Sequence, residues 1–150
     1  MADRSARSLA TSLAAFMAGA LAVLIFHQGM LGVLYALGVT PAKPFDFQPT
    51  APFGIPAVLS SAFWGGIWAI ALSIVLRRLS GPFYWLAALL FGSLVLTAVA
   101  WLVVQPLEGR PLLWQPSRVA VGLSVNGAWG IGTAILLRLF QSFGSRALRH

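Results

Sequence analysis

The chain contains no cysteine. Disulfides, thiolate metal sites, cysteine nucleophiles and covalent c-type haem are thereby excluded. Acid is almost as scarce, with three Asp and Glu against ten Lys and Arg. No carboxylate falls inside an apolar run, and no HExxH, GxSxG or phosphate-loop pattern occurs. An enzyme is therefore the least expected class. Charged residues make up only 9% of the chain, where soluble domains carry about 25%. Ten-residue alternating segments are missing too, which disfavours a spanning β-barrel.

What is present is apolar. Of 150 residues, 59% are hydrophobic. They gather into four continuous runs at 9–37, 56–79, 83–104 and 118–140. Each meets the roughly 20 residues that a helix needs to cross the hydrocarbon core. The breaks between them have turn chemistry: Gly38 to Pro44, Ser80-Gly81-Pro82, and Gln105-Pro106 to Ser117. The expected fold is all-α, a polytopic membrane four-helix bundle in a single integral domain over residues 1–150. The start, MADRSARSLA, is basic like a signal peptide, yet the apolar run passes Ala18 to Ala22 into VLIF without a polar break. A retained first helix is expected.

The basic residues sit at the ends of the runs, where they meet lipid phosphates rather than nucleic acid. With the N-terminus cytoplasmic, Arg4, Arg7, Arg77, Arg78, Arg138, Arg146 and Arg149 fall inside, and Lys43, Arg110 and Arg118 fall outside. That asymmetry places both termini in the cytoplasm of a bacterial inner membrane, with Asp46 and Glu108 outside. The tail from Gln141 to His150 is expected on the inner leaflet.

The stretch from Ala57 to Leu79 carries a ladder of small residues. Ala57, Ser61, Gly65, Ala69 and Ser73 recur every fourth position on one helix face. Such a face lets a second backbone approach closely. A similar ladder follows in the fourth run: Gly122, Asn126, Gly130 and Ala134. The outer loops are alike as well. Pro44-Phe45-Asp46-Phe47-Gln48-Pro49-Thr50 parallels Pro111-Leu112-Leu113-Trp114-Gln115-Pro116-Ser117, with Gln48 and Gln115 in register. We read two tandem helical hairpins, a parallel repeat about an axis along the membrane normal. Coincidence within the small alphabet of membrane helices is the alternative. Thr50 and Ser117 suit helix caps, or in the first copy Thr50 caps a short interfacial turn before Pro56, and Pro56 suits a first turn. Phe47 and Trp114 suit the outer headgroup level, and Phe83, Tyr84 and Trp85 the inner one.

His27 and Gln28 form the strongly polar pair inside a run, and polar residues in spans are functional candidates. They bond to Ser61, Asn126 or a carbonyl as packing glue, or His27 passes protons along a polar path, or it ligates haem or a metal. One histidine supplies one ligand, so haem requires a second from another chain. No resident metal or cofactor is expected. Asn126 reads first as interhelical glue. The hydroxyls of Ser60, Ser61, Ser73, Ser93, Thr97, Ser124 and Thr133 can return to their own helix carbonyls. Trp64, Trp68, Trp101 and Trp129 read as packing bulk.

The run IFHQGMLGVLYALGVTP followed by PTAPFGIPAVLSSAFWGGIW resembles small four-span bacterial inner-membrane proteins of uncharacterised activity. The resemblance covers about half the chain and implies no functional residue. The leading expectation is a non-enzymatic scaffold, accessory or assembly subunit. It would bind a membrane partner or copies of itself through the small-residue faces. The runner-up is a small oligomeric transporter or channel whose polar midplane site uses His27, Gln28, Ser61 and Asn126. A haem or quinone redox subunit comes third.

Overall fold

The computed structural model describes residues 2–50, 53–107 and 115–147. Glu108, Arg110, Trp114 and the rest of 108–114 lie outside the described residues, as does Arg149; the side chains of Arg4, Arg7 and Arg146 are likewise not among those described. The loop likeness is therefore visible only on its first side.

Four helices, each long and apolar enough to cross a membrane, dominate the chain. The first runs through Ala2–Ala22, a π segment Val23–His27 and Gln28–Ala36. The second is Ala57–Leu76. The third spans Gly81–Leu107, with π segments at Phe91–Leu96 and Ala100–Val104. The fourth is Pro116–Ala147. It begins two residues before the expected start at 118 and continues through the start of the basic tail, so Gln141 is helical.

Two seams join the helices in pairs. In the first, Gly19 lies against the backbone of Gly65 and the Cβ of Ala69, while Gly65 meets Val23. In the second, Gly92 lies against the carbonyl of Asn126, and Gly130 against that of Ala88. A Cβ at any of these glycines would be driven into its neighbour, which is why only glycine fits. Lipid tails are as apolar as leucine, so helices in a bilayer associate through close packing rather than through hydrophobic burial. Ala15, Ala18, Ala22, Ala69, Ala88 and Ala134 are fully enclosed in the same core.

The upper rungs of the ladder in the second helix depart from expectation. Gly65, Ala69 and Ser73 are buried, Ala57 is half-buried, and Ser61 is exposed. At 3.6 residues per turn, each four-residue step turns a further ~40°, so a five-rung ladder winds off any single face.

The two pairs are locked together by larger side chains. Trp129, 1% exposed, donates its Nε1–H to the carbonyl of Gly19 at 3.0 Å. The Phe26 ring of the first helix fills the space a side chain at Gly132 of the fourth would need; within the first pair, the Phe16 ring does the same at Gly66. Within the second pair, Tyr84 is buried and donates to the carbonyl of Ala134 at 2.9 Å. It packs between the helices at its end of the bundle, and of the Phe83-Tyr84-Trp85 trio Phe83 is the most exposed, at 68%.

At one end the loop between the first two helices folds back. Thr50 and Ile55 pair in a two-residue antiparallel bridge with Pro49 and Pro56. The Thr50 hydroxyl donates to the Ile55 carbonyl at 2.8 Å, so of its two expected roles it closes the short turn before Pro56 rather than capping a helix. Pro56 stands at the N-cap, one position ahead of the first turn. The amides of Ala57 and Val58 donate to the carbonyls of Gln48 and Asp46, tying the loop to the helix start. Ser117 is the second residue of its helix rather than a cap.

Candidate functional site

His27 closes the π segment of the first helix, and Gln28 follows it. A π turn holds more residues than an α turn, so it re-aims the faces beyond it; such turns are common at functional sites. Gln28 is 5% exposed. Its Oε1 accepts the backbone N–H of Phe45 at 2.8 Å. Phe45 is the one non-glycine residue with positive φ among the described residues, at 53°, a backbone state that persists only where surroundings hold it. Pro44, one residue earlier, rests over Gly32. Gln28 therefore anchors the loop between the first two helices along the C-terminal part of the first helix.

The other candidates turn elsewhere. Asn126 donates its Nδ2–H to Thr97 Oγ1 at 3.0 Å, bridging the third and fourth helices. Ser61 returns its hydroxyl to the Ala57 carbonyl at 2.9 Å and is exposed. Ser73 and Ser124 bond back to Ile70 and Ala120 in the same manner. Gln48 and Gln115 are both exposed; the Gln48 amide is held by Asp46 Oδ1 at 2.9 Å. The side chains of Gln28, Ser61 and Asn126 thus bond to three different partners and do not converge. His27 keeps a buried Nδ1 with no hydrogen-bond partner among the described residues, and the Thr133 hydroxyl is in the same position. Buried polar atoms are rarely left so. Among the described residues no group of three His, Asp or Glu side chains is placed to hold a metal.

The Gln28–Phe45 bond, the Trp129–Gly19 bond and the seam glycines Gly19 and Gly92 were not legible from sequence. The last had a faint signal, since both lie four residues from another seam residue, Val23 and Ala88.

These features define a class: an all-α bundle of four helices that are long and apolar enough to span a membrane. No protein-family model, curated protein or solved structure matches the chain. The likeness to small four-span inner-membrane proteins accordingly rests on the four spans alone.

Proposed function

We propose that this chain is a non-enzymatic integral membrane protein of the bacterial inner membrane, a scaffold or accessory subunit with both termini in the cytoplasm. The observation that carries the reading is how the polar side chains of the spans are used. Gln28, Asn126, Trp129 and Tyr84 each bond to another segment of the chain. They hold the first, third and fourth helices and one loop in a fixed arrangement, while the second helix is held by the first seam and by the loop's backbone bonds. The small-residue faces are filled by the chain's own helices, so a partner or second copy meets the outward faces instead. The arginine asymmetry supports the orientation.

A duplicated hairpin is part of this proposal, and the seams support it. The step along the chain from Gly19 to Tyr84 is the step from Val23 to Ala88, from Gly65 to Gly130 and from Ala69 to Ala134. It carries the Gly19–Ala69 and Val23–Gly65 contacts onto Tyr84–Ala134 and Ala88–Gly130.

The test is tagged purification from native membranes in mild detergent. The scaffold reading expects a membrane protein retained in fixed proportion, and no proton or solute flux in liposomes. Transport is the second reading, favoured by the unpartnered His27 Nδ1 at a π segment. Flux that disappears in His27→Ala would establish it over the scaffold. A Soret band in the purified protein would instead support haem, held by His27 and a ligand from another chain.

A further inference from the structure

The end of the bundle opposite the Gln28-anchored loop holds a cavity of about 260 Å³. Arg77, Arg138 and Gln141 line it together with Thr11, Ser73 and Tyr84. Three of the four helices and the start of the third meet there. The one acidic side chain among those described, Asp46, lies in the far loop, beside the start of the second helix. Two permanently charged guanidinium groups therefore face one cavity with no described carboxylate beside them.

Arg138 is held for this role. Its guanidinium carbon stands 4.2 Å from the Tyr84 ring centre and 4.9 Å from that of Trp85. The two rings meet edge to face at 85°, forming a corner. Stacking engages the faces of the guanidinium and leaves five N–H donors in its plane, more than the Tyr84 hydroxyl can use. Tyr84 is itself fixed by its bond to Ala134. Arg77 caps the second helix, its amide donating to Ser73 at 3.1 Å. The third helix begins at Gly81 behind Ser80, which makes no side-chain cap, so its positive end adds to the field. Arg77 stands at the end of a 20-residue apolar helix, the depth at which phosphates of a bilayer lie.

We propose that this cavity is a phosphate-binding site, occupied by the phosphate of a phospholipid headgroup or by free phosphate. Its volume falls just below the about 300–1,000 Å³ of sites for drug-sized ligands, as suits a headgroup. Planar guanidinium forks grip phosphate oxygens in pairs, and a stacked arginine enters that contact already ordered.

The experiment uses the full chain in uncharged detergent. Phosphatidylglycerol is added to the micelles, and bound phosphorus is counted after gel filtration. Saturable binding is expected, weakened about fivefold by Arg77→Gln and again by Arg138→Gln. Arg78→Gln, outside the cavity wall, should bind like the parent chain. Arg138→Lys checks the fold: it keeps the charge and should recover part of the binding. Inorganic phosphate in a second arm separates the sources. Displacement of the lipid by equimolar phosphate assigns the site to free phosphate, and no displacement assigns it to the headgroup. Unchanged binding in both glutamine variants, or equal weakening by Arg78→Gln, would overturn the proposal.

Discussion

One methyl group placed at Gly92 should loosen the second seam, while the same group at Gly29 should not. A Cβ on Gly92 would be driven into the carbonyl oxygen of Asn126, with Gly130 Cα at 3.1 Å. Both neighbours are backbone, so no rotamer can yield and the helices must part. Overpacking of this kind costs about 1–3 kcal/mol. Parting also stretches the 3.0 Å bond from Asn126 to Thr97, worth ~0.6 kcal/mol inside a membrane. Exchanging a helical glycine for alanine returns roughly 0.5–1 kcal/mol. Gly29 has no atom within 4 Å of its would-be Cβ, so only that gain applies. The two variants should differ in stability by about 2–3 kcal/mol, Gly92→Ala below the parent and Gly29→Ala at or above it. Reversible unfolding by dodecyl sulfate in bicelles, followed by circular dichroism, measures both. Equal stability of the pair would refute a seam set by backbone contact.

Other outcomes follow from single bonds. Gln28→Ala leaves the Phe45 N–H without its acceptor and should cost about 1–3 kcal/mol, with faster hydrogen exchange confined to 44–58; Gln28→Glu keeps an acceptor and should exchange more slowly than the alanine variant. Trp129→Phe removes the donor to Gly19 while keeping most of the bulk, and a loss of about 1 kcal/mol is expected in the same unfolding assay. A double-mutant cycle of Asn126→Ala with Thr97→Val should give a coupling near ~0.6 kcal/mol, and zero coupling would remove their bond from the account.

The helices were legible in the sequence because apolar length is nearly all that a bilayer demands of a span. The ladder at Gly65, Ala69, Gly130 and Ala134 was legible for the same reason: close approach requires small side chains. Its reach was misjudged at Ser61, where the four-residue step drifts off the contact face. The candidate site was less legible. Gln28 was seen as polar and enclosed, yet its partner is a backbone amide 17 positions away, fixed by a positive-φ residue that no local pattern announces. That Tyr84 turns inward while Phe83 turns outward was not legible, because its burial depends on Ala134 and Arg138 from the fourth helix. Which face a side chain takes in a bundle of near-uniform apolarity is decided by the partner helix, and a single helix carries little trace of it.

The central claim is that the glycine seams join helices of one chain. The absence of native cysteine makes a direct measurement possible. A Cβ on Gly122 would lie 3.1 Å from Thr97 Cγ2 and 3.6 Å from its Oγ1, a spacing that a disulfide accommodates. Thr97→Cys combined with Gly122→Cys, oxidised in native membranes, should close a bridge within the chain, leaving a monomer whose peptides on either side remain linked after proteolysis. A disulfide-linked dimer, or thiols that stay free, would contradict the account.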